Sequence, residues 1–366
     1  MDIIYLDYAK AFDSVVHAKL LAKLACYGIN EQLLVWIENF LVGREQFVKI
    51  ADACSSVCAV ISGVPQGSVL GPVLFILYVN DIVDCIVPGI TVKLFADDTK
   101  LYSAFDALVT PDCLQSCLSA ISDWSDHWQL KLSPTKCTVL HVCPARARNN
   151  NPNYNYHIGN TNLPCVDSIS DLGVMYNNSL KFSIHVDRIV SKASLRAKLI
   201  LHCFRSRDPI LLTKAFCTFV RPVLEYSSPI WNPVYKYDII KLEAVQRRFL
   251  KRLDGLHSLS YMCRMERLGL ESLYSRRVKA DLVMCYKILN NHVCVDADSF
   301  FTRHVGYHTR GNRVKLYKTH TASVHDSHFF SNRVIIVWNS LPDTVVSSAT
   351  VTSFKLKLKS SNILLD

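Results

Sequence analysis

Two adjacent aspartates, Asp97 and Asp98, stand between two apolar, strand-like runs, Thr91 to Phe95 and Lys100 to Ser103. Runs separated by so few residues pair as a hairpin, which places both carboxylates at a tight turn. Their charges repel, and the flanking Leu94-Phe95-Ala96 is expected to desolvate them. A cation removes that penalty. Mg²⁺ is a hard ion that takes carboxylate oxygens and completes its shell with water and substrate phosphates. A third carboxylate, Asp7, ends another strand-like run, Ile3 to Leu6. A lone Asp-Asp pair is also what a solvated surface turn looks like, so the pair does not decide by itself.

The remaining pattern mixes strands and helices irregularly. Val15 to Tyr27 has helical spacing, with Leu20, Leu21, Leu24 and Ala25 on one face and Gly28 as the stop. Glu31 to Leu41 predicts a second helix. Phe47 to Ile50 and Val57 to Ile61 predict a hairpin, and Gly63-Val64-Pro65-Gln66-Gly67 a loop leading into a buried helix that ends near Ile82. Leu114, Leu118, Ile121, Trp124 and Trp128 mark an amphipathic helix, and Lys136 to Val142 a strand. Asn149 to Asn155 is a polar loop. From Ser183 to Asn290 the pattern is mainly helical, with breaks near Pro209, Pro229 and Gly255; after Asn291 it weakens. Hairpins and helices in this irregular order predict an α+β fold followed by a helical region.

Charge divides the chain further. Residues 1–180 hold 11 Lys/Arg against 17 Asp/Glu, residues 181–290 hold 21 against 9, and residues 291–366 hold 9 against 5. An acidic front half suits metal ions and a basic middle suits a polyanion, although solvated helix faces would give the same count. The 14 cysteines include no Cys-x-x-Cys pair and predict reduced thiols in an intracellular protein, with Cys26, Cys85, Cys203 and Cys285 as small core residues. No signal peptide is visible. The apolar run Val69 to Val79, broken by Gly71 and Pro72, is shorter than the ~20 residues of a membrane span, so no membrane is expected. The spacing of His304, His308, His320, His325 and His328 matches no zinc module.

The pattern as a whole resembles a known family. Asp7-Tyr8-Ala9-Lys10-Ala11-Phe12-Asp13, Gly63-Val64-Pro65-Gln66-Gly67-Ser68 and Phe95-Ala96-Asp97-Asp98 are similar, in order and spacing, to the first three palm motifs of reverse transcriptases. Lys131-Leu132-Ser133-Pro134-Thr135-Lys136-Cys137 resembles the next, with Ser133 where many relatives have Asn. Val220 to Tyr226, Trp231-Asn232-Pro233, Leu242 to Phe249, and the tail Phe329 to Val334 with Trp338 to Pro342 resemble the region after the palm in non-LTR retrotransposons of the jockey-like and chicken-repeat-like groups.

That resemblance implies a palm over 1–180, a helical thumb over 181–290 and a retrotransposon-type tail over 291–366. It implies an RNA-directed DNA polymerase that joins a dNTP to a DNA primer on an RNA template, acting in the nucleus at a chromosomal target. Asp7 and Asp97 would hold two Mg²⁺ ions, or Mn²⁺ in their place, with Asp98 a weaker ligand or a support for the turn. Phe12 would be the sugar gate, against the alternative of an ordinary core Phe. Gly63 and Gly67 would let backbone approach the nucleotide, Gln66 would bond near the nascent pair, and Lys136 would meet the pyrophosphate. Arg247, Arg248, Lys251 and Arg252, with Arg276, Arg277 and Lys279, would grip phosphates. Asp13 reads as a helix N-cap and stays outside the metal set.

The chain opens almost on the first motif, so the reading expects the fingers to be missing. A catalytically silent remnant that only binds nucleic acid is therefore the alternative. An RNA-dependent RNA polymerase is disfavoured by Phe12 and by Ala96 before the Asp pair.

Overall fold

The computed structural model describes residues 1–105, 109–143, 154–233, 235–304, 313–318, 320 and 329–361. The chain divides into two compact units, one of residues 1–169 and 177–180, the other of residues 170–176 and 181–366.

The first unit is built on a four-stranded antiparallel sheet. Its strands are β1 (Asp2–Leu6), β6 (Thr91–Phe95), β7 (Asp98–Ser103) and β8 (Thr138–His141), in the order β6-β7-β1-β8. β1 is central, which is why its apolar residues do not alternate with polar ones: Ile3, Ile4 and Leu6 are all buried. Helix α1 (His17–Cys26) buries Leu20 and Leu24, and Gly28 at φ 81° ends it. Helix α2 (Glu31–Leu41) is capped by Asn30, whose side chain accepts from the Leu33 amide. The expected pairing of Phe47–Ile50 with Val57–Ile61 is replaced by a longer hairpin of four two-residue strands that turns nearer to Ile50: β2 (Glu45–Gln46), β3 (Lys49–Ile50), β4 (Ala53–Cys54) and β5 (Cys58–Ala59). β2 pairs with β5 and β3 with β4.

Helix α3 (Leu70–Val79) buries Leu74, Phe75, Tyr78 and Val79. The sequence predicts a buried helix here, and the structure leaves one side of it, with Val73 and Ile76, half exposed. Helix α4 (Pro111–Trp128) seats Leu114, Leu118 and Ile121 in the same core. Lys23 of α1 ties these helices together. It is buried, donates to the Tyr78 carbonyl at 2.6 Å, pairs with Asp81 at 2.7 Å and lies 3.5 Å from the Trp128 ring centre. Burial lowers its pKa, and Asp81 opposes that shift.

The second unit is helical: α5 (Ser183–Cys203), α6 (Pro209–Phe219), α7 (Arg221–Glu225), α8 (Ser228–Trp231), α9 (Lys236–Lys251), α10 (Tyr261–Arg267) and α11 (Leu273–Leu289). Pro209 opens a helix behind the Asp208 cap. Phe216, Trp231 and Phe249 fill one core. A second core joins α11 to α12 (Phe330–Ser340), α13 (Asp343–Val346) and α14 (Val351–Ser360) through Tyr286, Trp338 and Phe354. The helices after Asn291 therefore join the second unit rather than stand apart. Of the four cysteines expected in cores, Cys285 is buried and Cys85 partly so, while Cys26 and Cys203 are exposed because they end their helices. Among the described residues, no helix is long and apolar enough to cross a membrane. His308, His325 and His328 lie outside the described residues.

Candidate active site

The β6–β7 hairpin closes on Ala96-Asp97, with Phe95 opposite Asp98. Ala96 takes φ 54°, a left-handed position that a β-carbon disfavours and that a two-residue hairpin demands of its first central residue. The expected desolvation does not occur. Asp97 and Asp98 are exposed, as is Phe95, because β6 is the edge strand and the turn reaches past the sheet.

Asp7 follows β1 directly. The β1–β7 register runs Asp2 to Ser103 through Leu6 to Thr99, so one further step sets Asp7 opposite Asp98. Adjacent strands lie about 4.8 Å apart. The register thus carries Asp7 and Asp98 to the same end of the two central strands. Main-chain bonds hold Asp7 in place: the Ser133 amide donates to its carbonyl at 2.8 Å, and the Ala9 amide donates to the Lys131 carbonyl at 2.8 Å. The Asp7 amide donates to Cys137 Sγ at 3.4 Å. Lys136 Nζ stands 3.8 Å from the Asp7 carboxylate, and both side chains are largely exposed, so the pairing is weak. Among the described residues, no three His, Cys, Asp or Glu side chains gather closely enough to form a metal cage. A pair of carboxylates still fits Mg²⁺, which commonly takes one or two and completes its shell with water and phosphates.

The Gly-containing loop docks on the segment after Asp7. Val64 donates to the Phe12 carbonyl at 2.9 Å and Gly63 to the Val15 carbonyl at 2.8 Å. Gly63 has φ 90°, and a β-carbon there would lie 2.8 Å from Asp13 Cα. Gly67 also has positive φ, 80°, with open space around it. Gln66 Nε2 donates to Asp13 Oδ1 at 3.0 Å. Asp13 is therefore not a helix cap: it closes the short 3-10 turn Ala11–Asp13, and α1 begins behind Val16. Phe12 is half-buried and stacks on the core ring of Phe75, with centroids 4.2 Å apart.

Sequence reasoning missed Gly71. A β-carbon there would lie 2.6 Å from the Pro65 carbonyl oxygen, beside a Ser68 hydroxyl that bonds both Pro65 O and the Gly71 amide. The signal was the Ser68-x-x-Gly71 spacing. It also missed His17, whose Nε2 lies 2.8 Å from the Gly63 carbonyl oxygen.

The basic residues separate into two classes. Arg247, Arg248, Lys251 and Arg252 are exposed on and just beyond α9, with Arg247 over the Tyr261 ring. Arg276 and Lys279 are half-buried and paired with Glu225 and Glu271. Arg277 corrects the expectation. It is fully buried, its Nε donates to Asn232 Oδ1 at 3.2 Å, and burial lowers its pKa to about 10. A guanidinium enclosed in this way meets no phosphate.

Comparison with known proteins agrees with this architecture. Residues 3–182 match the family described as reverse transcriptase (RNA-dependent DNA polymerase). The RNA-directed DNA polymerase from mobile element jockey of Drosophila funebris is 28% identical over 268 residues, which cover 69% of this chain and 28% of that protein. The probable RNA-directed DNA polymerase from transposon X-element of Drosophila melanogaster is 28% identical over 266 residues, with the same shares covered. Telomerase from Candida albicans, solved with a fragment of telomeric RNA, aligns over 74% of this chain and 50% of that chain at TM-score 0.35 and 13% identity, too low to support an inference.

The sheet with its acidic hairpin and docked glycine loop is a reverse transcriptase palm. Residues 3–182 of the chain belong to the reverse transcriptase family. The chain spans about 28% of the length of the relatives it matches. Reverse transcriptases generally use divalent metal ions.

Proposed function

We propose that the chain is the polymerase portion of a non-LTR retrotransposon protein and extends a DNA primer on an RNA template with dNTPs. The observation that carries this reading is the β1–β7 register, which brings Asp7 beside the Asp97-Asp98 hairpin. Asp7 and Asp97 would hold two Mg²⁺ ions, or Mn²⁺, which when bound acidify the primer 3′-hydroxyl and neutralise the triphosphate. The 3′-oxygen attacks the α-phosphorus, a new phosphodiester forms, and pyrophosphate leaves.

The chain's own residues supply position and selection. Phe12, steadied by Phe75, is the flat surface that a ribose 2′-hydroxyl would strike. Gly63 and Gly67 keep the loop backbone close, and Asp13 orients Gln66 toward the nascent pair. Asp98 supports the turn at the head of β7. Lys136, within reach of Asp7, would turn to the pyrophosphate as substrate enters. Residues 181–290 would act as the thumb, gripping template–primer phosphates through Arg247, Arg248, Lys251 and Arg252. Work at a chromosomal target would place it in the nucleus.

The test is primer extension on an RNA template with Mg²⁺ and dNTPs, comparing this chain with Asp97→Asn. Extension by the first and none by a folded variant is the expected result. Extension by both would remove Asp97 from the metal set. Extension by neither, with template–primer binding retained, would refute polymerase activity for this chain.

A further inference from the structure

In the second unit a groove of about 580 Å³ opens beside α11 and α14. Six basic side chains line it: Arg221, Arg276, Lys279, Lys287, Lys355 and Lys359. Two carboxylates, Glu225 and Glu271, oppose them, and both are engaged. Arg276 bonds Glu225, Arg221 lies 3.9 Å from it, and Lys279 pairs with Glu271 at 2.8 Å. Six cations against two anions leave an excess of four positive charges. Lys287, Lys355 and Lys359 have no ion-pair partner among the described residues. Neighbouring Lys357 differs, since its ammonium donates to the Thr344 carbonyl at 2.7 Å. The floor is apolar, with Val283, Met284 and Leu358.

We propose that this groove binds the sugar–phosphate backbone of a single-stranded nucleic acid. Like-charged side chains converging from α11 and α14 repel one another, and a chain of phosphates relieves that repulsion along the whole groove. The volume falls in the range of small-ligand clefts, roughly 300–1,000 Å³. It therefore takes a few nucleotides of one strand and not a duplex. The apolar floor suits sugar and base faces, and Met284 adapts to whichever base lies there. The groove shares no lining residue with the Asp7 site or with the exposed α9 cluster, so the proposal does not depend on polymerase activity.

The test is fluorescence anisotropy with the full chain, without metal or dNTPs, using short labelled RNA and DNA single strands of one sequence over a salt series. The variant is Lys287→Gln/Lys355→Gln/Lys359→Gln, and Lys49→Gln/Lys214→Gln/Lys318→Gln is a control of equal charge change at exposed positions. The expected result is binding weakened at least about tenfold in the groove variant, with a log–log salt slope shallower by about 2, as three lost phosphate contacts require. The control should keep both values. An equal loss in the control, or no loss in the groove variant, would overturn the proposal. So would poly-glutamate binding as tightly as RNA and losing affinity in the same variant, because the occupant would then be an acidic protein segment.

Discussion

Gly63→Ala should uncouple the glycine loop from the segment after Asp7. The added β-carbon would lie 2.8 Å from Asp13 Cα and 3.0 Å from the carbonyl oxygens of Phe12 and Asp13. All three are main-chain atoms, so no flexible side chain can give way. The φ of 90° adds backbone strain of about 1–2 kcal/mol for a residue with a β-carbon. Overpacking adds about 1–3 kcal/mol more. The total is near 3 kcal/mol. Gly67→Ala is the internal reference, with φ 80° and nothing within 4 Å. Only the strain applies there; the gain of about 0.4–1 kcal/mol from a stiffer unfolded chain is common to both variants and cancels in the comparison. The two variants should differ by about 2 kcal/mol, which is roughly 30-fold in an opening equilibrium. Hydrogen exchange of the β1 and β7 amides reads the first unit alone, which a global melting curve does not. Equal protection losses in the two variants would refute the close-approach argument.

His185 is buried against Trp231, and its Nδ1 accepts from the Met175 amide at 3.2 Å, so the proton of the neutral ring sits on Nε2. Burial, with help from Arg188, lowers its pKa to about 4. The unfolded value is near 6.5, so stability is intact above about pH 6.5 and falls as the pH drops toward 4, by about 3 kcal/mol in all. His185→Phe should remove that part of the pH dependence of urea unfolding, and an unchanged profile would refute the buried neutral imidazole. Arg277→Met should leave duplex affinity and its salt slope unaltered, whereas Arg248→Gln should lower the slope by about 0.9; equal effects in a binding titration would return Arg277 to the contact set. Phe12→Val should raise ribonucleotide use relative to deoxyribonucleotide use in kcat/KM, and an unchanged ratio would make Phe12 an ordinary packing residue.

The elements with a clear period were legible in the sequence. α2 has the expected bounds, β6 and β7 flank the expected turn, and Leu114, Leu118 and Ile121 are all buried. Contacts between distant segments were not legible, because no local pattern records them. Nothing near Gly63 announces that its bare α-carbon faces Asp13, about fifty residues earlier. Lys23 reads as an ordinary charge on α1 until Asp81 and Trp128 surround it. Arg277 is the instructive failure. Arg276 and Arg277 are neighbours in sequence, yet successive helix positions point about 100° apart. Leu273, Arg277 and Asp281 fall on one stripe at intervals of four, and all three are buried. That spacing was available, but charge counting passed over it. The unmade desolvation of Asp97 has a similar origin: apolar neighbours in sequence do not bury a turn that projects from an edge strand.

Main-chain hydrogen bonds position Asp7 in the site. β1 is fixed between β7 and β8, and the Ser133–Asp7 and Ala9–Lys131 hydrogen bonds extend that support past the end of the strand. The Asp7 carboxylate itself is half exposed and, among the described residues, pairs weakly with Lys136. This arrangement supports the main chain of Asp7 while leaving its carboxylate accessible to solvent. It also predicts how the site responds to change. Since, among the described residues, no structural hydrogen bond or buried ion pair depends on the Asp7 carboxylate, Asp7→Asn should fold as the unaltered chain does. Loss of synthesis with unchanged unfolding would then be assigned to chemistry, whereas the same loss in Gly63→Ala would be assigned to the architecture that presents it.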